Sequence, residues 1–89
     1  MNYSYPIDES WSKQEIIDVV NFYSLVEKAY ESGVGSQDIM IAYTRFKQIV
    51  PSKSEEKQLC NKFERESGYS CYRTIQKAKQ LNNGEKVQM

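Results

Sequence analysis

Histidine is absent from this chain of 89 residues. It is the commonest general base in enzymes and the commonest metal ligand, so its absence removes the simplest catalytic and metal-site chemistry. The two cysteines, Cys60 and Cys71, do not make a zinc site without further soft ligands. A glycine-rich phosphate loop and a Gly-x-Ser-x-Gly nucleophile turn are also missing from the sequence. We therefore expect no enzymatic activity, no metal, no cofactor and no small-molecule substrate.

Long apolar runs are missing as well. None approaches the roughly 20 residues that a membrane-spanning helix needs. The first ten residues, MNYSYPIDES, have neither the basic nor the apolar region of a signal peptide. We therefore expect a cytoplasmic protein without a membrane partner. Thiols stay reduced in that compartment, so Cys60 and Cys71 are interpreted as small buried hydrophobic residues.

Glycine and proline are scarce, with four and two residues, while hydrophobic residues make up 39% and charged residues 27% of the chain. This balance is typical of a folded globular protein and not of a disordered one. The length suffices for one small domain. The sequence has neither strand-like alternation nor internal repeats. We predict a single, compact all-α domain of four helices.

The zero net charge hides an asymmetry between the two halves of the chain. Residues 1–40 hold seven acidic and two basic residues, whereas residues 41–89 hold ten basic and five acidic ones. The halves therefore carry net charges of minus five and plus five. They are expected to attract one another, either within one monomer or between two antiparallel copies.

Helix-capping signals set the predicted boundaries. Ser12 and Glu15 have the spacing of a capping box, and Ser36, Ser52 and Ser70 are predicted to cap the later helices. The predicted helices span about residues 12–31, 36–50, 52–67 and 70–82 of a domain over 1–84, followed by a flexible, solvated tail over 85–89.

The residues before the first helix, 1–11, form an extended arm that includes Tyr3, Tyr5 and Trp11. Burying these rings offsets the cost of ordering the arm. We expect the arm to pack in a groove between helices, although an arm that awaits a partner would have the same composition.

Two apolar residues of the first helix, Ile17 and Leu25, fall outside its main apolar arc and among polar residues. The first helix is therefore either the central helix of the domain or part of a dimer seam. A homodimer joined through this helix would explain both residues.

The segment SGYSCYRTIQKAK, residues 67–79, has a glycine-containing turn followed by a helix, as in DNA-binding helix-turn-helix units. The outward face of this helix is predicted to show Arg73, Gln76 and Lys77. The residues that the general motif needs as small or branched apolar side chains are instead Glu64, Thr74 and Lys77. The bases in this region are also interleaved with acids, so a solvated helix face is favoured over nucleic-acid binding.

The same segment holds three other candidates. Tyr69 and Tyr72 flank the cap of the last helix, and tyrosine is enriched at protein interfaces. Cys71 begins the helix, where the helix dipole lowers thiol pKa values, and is the one plausible nucleophile if the protein is an enzyme. The free amides of residues 71–73 would suit an anion, but a plain Ser70 cap is the simpler interpretation.

Three stretches, NYSYPIDESWSKQEIIDVVNFYSLVEKAYE, YTRFKQIVPSKSEEK and SGYSCYR, resemble the UPF0223 family of small proteins from Bacillus, Staphylococcus and related low-GC Gram-positive bacteria. The resemblance covers residues 2 to about 80 and departs from the family pattern in the loop near 33–38 and in the tail. It implies a cytosolic, all-helical domain. It brings no activity, ligand or catalytic residue with it.

Together these observations favour a non-enzymatic helical module that binds another protein, or a second copy of itself. The alternative is a nucleic-acid-binding protein that uses its last two helices. The candidate surface residues are Tyr69, Tyr72, Arg73, Gln76, Lys77, Ile17 and Leu25.

Overall fold

The structure, a computed structural model, describes residues 4–82 and 84–89. Its helices and strands are, in chain order, α1 (Lys13–Glu31), β1 (Val34–Gly35), α2 (Ser36–Ile49), α3 (Lys53–Ser67), α4 (Cys71–Gln80) and β2 (Lys86–Val87). The prediction of an all-α fold with four helices is confirmed. Each predicted helix boundary lies within two residues of the observed one. No helix in the described part of the chain is both long and apolar enough to cross a membrane.

Helix α1 begins where the capping box predicts. The Ser12 hydroxyl accepts a hydrogen bond from the Glu15 amide at 3.2 Å, and the Ser12 amide donates to the Glu15 carboxylate at 2.8 Å. These bonds satisfy two backbone amides at the helix start that have no partner within the helix. Gly33, with φ +92°, follows the helix in the left-handed conformation that side chains disfavour.

Aromatic rings from α1 join the other helices in one core. Phe22 stacks on Phe46 of α2 with ring centroids 4.9 Å apart, and Tyr23 stacks on Phe63 of α3 at 4.8 Å. All four rings are buried. α1 is therefore the central helix of the domain, one of the two roles expected from its wide apolar arc.

The N-terminal arm packs on this core over its described residues. The Tyr5 ring stacks on Tyr23 at 5.6 Å, and the Tyr5 hydroxyl donates to the Glu27 carboxylate. The Tyr23 hydroxyl in turn donates to the Pro6 carbonyl at 3.0 Å. Tyr3, which the sequence analysis included in the packed arm, lies outside the described residues.

The prediction of a flexible, solvated tail over residues 85–89 is wrong. β2 pairs antiparallel with β1, so that Val87 lies opposite Val34, and Val87 is completely buried. The Met89 amide also donates to the Ala29 carbonyl at 2.9 Å. Strands of two residues carry no detectable alternation, so nothing in the local pattern distinguishes this segment from a tail.

The prediction that the Ser36 side chain caps α2 is also wrong. The N-cap is Gly35, and Ser36 is the first residue of the helix. The Ser36 hydroxyl donates to the Asn82 carbonyl at 3.0 Å, and its amide donates to the Glu85 carbonyl at 2.8 Å. Ser36 therefore fixes the segment that follows α4, because β1 leads directly into α2 and brings the two segments together.

Substitutions in β2 test whether this strand stabilises the domain. Val87→Ala removes two buried methyl groups and is expected to lower the free energy of unfolding by about 1.5 to 2.5 kcal/mol. Lys86→Ala, an exposed position in the same strand, is the control and should change it by less than about 0.5 kcal/mol. Urea titrations followed by far-UV circular dichroism measure both. Equal midpoints for the two variants would contradict the assignment.

Candidate functional site

The candidate residues of α4 differ in what they contact. Tyr72 and Gln76 line a cleft between α4 and the ends of α2 and α3. Arg73 and Lys77 do not line this cleft, and the Lys77 ammonium donates to the Gln88 carbonyl at 2.7 Å. Arg73, Gln76 and Lys77 are all exposed and their spacing places them on one face of α4, where Gln76 also borders the cleft.

Tyr69 has partners within the chain. Its ring stacks on Tyr30 of α1 with centroids 4.6 Å apart, and its hydroxyl donates to the Glu31 carboxylate at 2.9 Å. This hydrogen bond raises the pKa of the Tyr69 hydroxyl, because the neighbouring carboxylate disfavours ionisation. The Tyr30 hydroxyl accepts from the Ser70 amide at 3.1 Å. The two tyrosines thus hold the start of α4 against the end of α1, and a further role of Tyr69 in an interface stays a prediction.

The cleft beside Tyr72, which we name the lysine–tyrosine cleft, has a volume of about 550 Å³. That volume lies within the range of about 300 to 1,000 Å³ that is typical of ligand-binding clefts. Its lining residues are Tyr43 and Lys47 of α2, Pro51 of the connection, Lys53 and Glu56 of α3, and Tyr72, Ile75, Gln76 and Lys79 of α4.

Helix ends and caps shape this cleft. Pro51 follows Val50, the C-cap of α2, so the helix ends there and the chain turns into α3. The Ser52 hydroxyl accepts from the Glu55 amide at 3.4 Å, and the Ser70 hydroxyl accepts from the Arg73 amide at 3.2 Å. Buried Ile75 holds α4 on the core. The cleft is therefore built on helices with defined starting points.

Glu56 is the buried charged residue of the cleft, with 6% of its surface exposed. Its Oε2 atom accepts a hydrogen bond of 3.0 Å from the Tyr43 hydroxyl. Two main effects raise the pKa of Tyr43 well above its ordinary value. The larger is burial, and the smaller is this hydrogen bond to Glu56. Tyr43 therefore stays protonated at neutral pH and remains a hydrogen-bond donor to the carboxylate.

Three lysines make the cleft basic. Lys47, Lys53 and Lys79 are all exposed, and the Lys47 ammonium lies 5.4 Å from the centroid of the Tyr43 ring. With Glu56 as the one acidic residue in the lining, the lining carries a net charge of plus two. Between these lysines, Tyr72 is 38% exposed. The cleft can therefore hold a ligand that brings negative charge to the rim and an apolar group to Tyr72.

The sequence analysis missed most of these residues. Tyr43 and Lys47 are four apart on α2, and Tyr72, Gln76 and Lys79 follow the spacing of one face of α4. Such spacing places residues on one face of a helix but does not say which two faces meet. Glu56 lies in the first turn of α3, where an acidic residue favours the helix start, and its burial depends on the position of Tyr43 in another helix.

Cys71 does not have the properties of a reactive thiol. Its side chain is buried, and the neighbouring Cys60 thiol and burial raise the pKa of Cys71 well above its ordinary value. The thiolate, which is the nucleophilic form, is therefore disfavoured. At the same helix start, the Ser70 hydroxyl already occupies the Arg73 amide. The Ser70 cap is thus observed, and it takes up one of the amides that an anion would need.

A second surface lies between α1 and α2 and includes both remaining candidates. Leu25 is half-buried and packs on the core, whereas Ile17 is 52% exposed. Ile41 of α2, which the sequence analysis did not single out, is 62% exposed. An ion pair of 2.8 Å between Arg45 and Asp18 bridges the two helices here. Leu25 is explained by the core of one chain, and the homodimer through α1 stays a prediction.

The Asp18–Arg45 pair makes a pH-dependent contribution to stability. The hydrogen bond from Arg45 lowers the pKa of Asp18 in the folded state. The stabilisation is therefore present above the unfolded pKa of about 3.9 and is lost as the pH falls through the lower folded pKa. Arg45→Gln should lower the unfolding midpoint in urea at pH 6, and this difference from the wild type should shrink towards pH 2.5. Arg73→Gln serves as the control, and an Arg45→Gln effect that stays constant with pH would contradict the assignment.

Removing one hydroxyl tests the buried pair in the cleft. Tyr43→Phe leaves the Glu56 carboxylate without its donor and should lower the free energy of unfolding by about 1 to 3 kcal/mol. Tyr72→Phe removes a hydroxyl at the exposed rim and should change it by less than about 0.5 kcal/mol. Thermal and urea unfolding of both variants provide the comparison. Equal effects would show that the Tyr43 hydroxyl contributes no more than a surface group.

Comparisons with known proteins agree with the resemblance seen in the sequence. A family model described as "Uncharacterised protein family (UPF0223)" matches residues 2–87. A UPF0223 protein of Oceanobacillus iheyensis is 60% identical over 82 residues, which cover 92% of this chain and 93% of the relative. A UPF0223 protein of Staphylococcus aureus strain Newman is 53% identical over 87 residues, covering 98% and 96%. The chain therefore belongs to the UPF0223 family.

Proposed function

We propose that this protein is a non-enzymatic cytoplasmic interaction module that binds an acidic segment of a partner protein in the lysine–tyrosine cleft. The observation that carries the proposal is the position of Tyr72. Its partly exposed ring lies in a concave surface among Lys47, Lys53 and Lys79. Positive charges surround this aromatic ring. A partner that presents an apolar side chain to the ring and acidic residues to the lysines is therefore complementary to the cleft.

The positive charge of the cleft is the reason for proposing an acidic partner. The lining carries plus two, and residues 41–89, which provide all of it, carry plus five. Complementary charge raises the rate of association and disfavours partners of the same sign. The three lysines are exposed and therefore hydrated, so each contributes a modest and salt-dependent amount. An acidic partner accordingly gains specificity here, while affinity has to come from apolar contacts.

Tyr72 and Ile75 provide those contacts. Tyrosine is among the side chains that most often dominate interface energies, because its ring buries a large area and its hydroxyl tolerates water. Ile75 lines the same cleft but is only 3% exposed, so it anchors α4 on the core while Tyr72 offers most of the apolar surface. Burying the ring of Tyr72 under a partner side chain is thus the expected main source of affinity.

The nucleic-acid alternative has less support. It relied on Arg73, Gln76 and Lys77 as one face, but on that face the Lys77 ammonium already donates to the Gln88 carbonyl, and Gln76 lines the cleft. The lysines of the cleft attract phosphates as well as carboxylates, but the bases of residues 53–79 are interleaved with acids, unlike the strongly basic face of a typical nucleic-acid binder. We therefore favour a protein partner and retain nucleic acid as an outcome of the test.

Titration with acidic peptides tests the proposal. Four blocked, fluorescein-labelled peptides have three acidic residues on each side of a central leucine, phenylalanine, tyrosine or tryptophan, and binding is followed by fluorescence anisotropy. We expect at least one peptide to bind with a Kd below about 100 μM at low salt and more weakly at high salt. Tyr72→Ala should weaken this binding by about tenfold or more.

Matched charge reversals separate the cleft from general attraction. Lys79→Glu lies in the cleft and should abolish most of the binding, whereas Lys57→Glu, an exposed position on α3 outside the cleft, should have a much smaller effect. Equal losses in both variants, or no binding of any peptide at about 1 mM, would overturn the proposal. Binding of a labelled oligonucleotide that depends on Arg73 and not on Lys79 would replace it with the nucleic-acid alternative.

A further inference from the structure

We infer that the acidic segment carries a tyrosine or tryptophan at its centre, whose hydroxyl or indole N–H donates a hydrogen bond to Glu56 in the lysine–tyrosine cleft. This inference rests on the proposed function and names the chemistry of the side chain that enters the cleft. It follows from the burial of Glu56. An acidic residue in the first turn of a helix favours the helix start even when it is exposed, so this role does not explain why Glu56 is buried.

Glu56 has unused hydrogen-bonding capacity. An ionised carboxylate can accept about four hydrogen bonds, and buried glutamates are almost always paired. Over residues 4–82 and 84–89, the one hydrogen bond found for this carboxylate is that from Tyr43 to Oε2, and no ion pair includes it. The hydrogen bond from Tyr43 thus uses only part of the hydrogen-bonding capacity of Glu56.

The second oxygen of Glu56 is accessible to solvent. In the described part of the chain, no fully buried polar side-chain atom lacks a hydrogen-bond partner. Since Oε2 takes the bond from Tyr43, Oε1 retains contact with solvent, and Glu56 belongs to the lining of the cleft. A ligand that fills the cleft displaces this water and has to supply a donor in its place, because an unpaired carboxylate is costly to bury.

The surroundings of Glu56 restrict the kind of donor. A cationic side chain would have to pass Lys47, Lys53 and Lys79, which repel it. A neutral donor avoids this repulsion. The partly exposed ring of Tyr72 offers an apolar surface in the same cleft, which favours a donor at the tip of a large ring. Tyrosine and tryptophan combine an apolar body with one polar hydrogen, and both are common anchors of protein interfaces.

Phenylalanine is the informative comparison. Its ring has nearly the same shape as that of tyrosine, but it would cover Glu56 without offering a donor. Sites built to hydrogen-bond a polar group reject an analogue that lacks it far more strongly than apolar sites reject a change in size. We therefore expect the peptide with central tyrosine to bind wild-type protein about ten to a hundred times more tightly than the phenylalanine peptide.

Substituting Glu56 tests whether this residue accepts the hydrogen bond from the peptide. In Glu56→Gln, the amide oxygen can still accept from Tyr43, which directs the NH₂ group, a donor, towards the cleft. A tyrosine hydroxyl can accept from this NH₂ group, whereas an indole N–H can only donate, so the tryptophan peptide gives the decisive comparison. Its advantage over the phenylalanine peptide should fall at least about tenfold below the value for wild-type protein. Glu55→Gln is the matched control, because Glu55 is exposed and lies outside the cleft, and it should keep the full advantage.

Each result decides between the two proposals. If tyrosine, phenylalanine and leucine peptides bind wild-type protein equally well, this inference is wrong while the proposed cleft remains supported. The inference is equally wrong if folded Glu56→Gln keeps the full advantage of tryptophan over phenylalanine. Binding of none of the peptides overturns both. Circular dichroism establishes whether Glu56→Gln folds, and if it does not, the comparison of peptides on the wild-type protein still decides.

Discussion

The stacking of α1 aromatic rings on the other helices is the interaction on which the rest of the structure depends. Phe22 and Tyr23 are neighbours in sequence, yet they stack on Phe46 of α2 and Phe63 of α3. Two adjacent residues thereby set the distances between three helices. Tyr23 also holds the N-terminal arm through Tyr5 and Pro6. In a domain this small, a few large buried rings supply much of the apolar area that offsets the loss of chain entropy.

Local signals predicted the helices of this fold well. The caps at Ser12, Ser52 and Ser70 act within a few residues of their own position, so the sequence carries them directly. The errors at Ser36 and at the tail have a common cause. Both depend on the pairing of Val34 with Val87, two residues more than fifty positions apart, and a contact of that kind leaves almost no trace in a pattern two residues long.

The candidate site was predictable only in part, for a related reason. Tyr72 and Gln76 were candidates because of their residue types. Lys47, Lys53 and Lys79 are ordinary surface lysines in the sequence, and only the packing of α4 against the ends of α2 and α3 brings them into one cleft. Glu56 shows the limit most clearly. In sequence it is one of two acids in the first turn of a helix, and its burial arises because Tyr43 of α2 reaches it. A cleft between helices is a property of their packing, and periodicity within one helix does not contain it.

The pairing of β1 with β2 also has a consequence for the order in which the protein is made. Val34 becomes available early in synthesis, but its partner Val87 leaves the ribosome only after all four helices have been translated. Until then, the apolar surface formed by Ala29, Val34 and Ile39 lacks one of its covering residues. Closing so long a loop is a slow and late step compared with helix formation. The nascent chain therefore carries an apolar patch that is not fully covered, and chaperones can bind this patch until Val87 has left the ribosome.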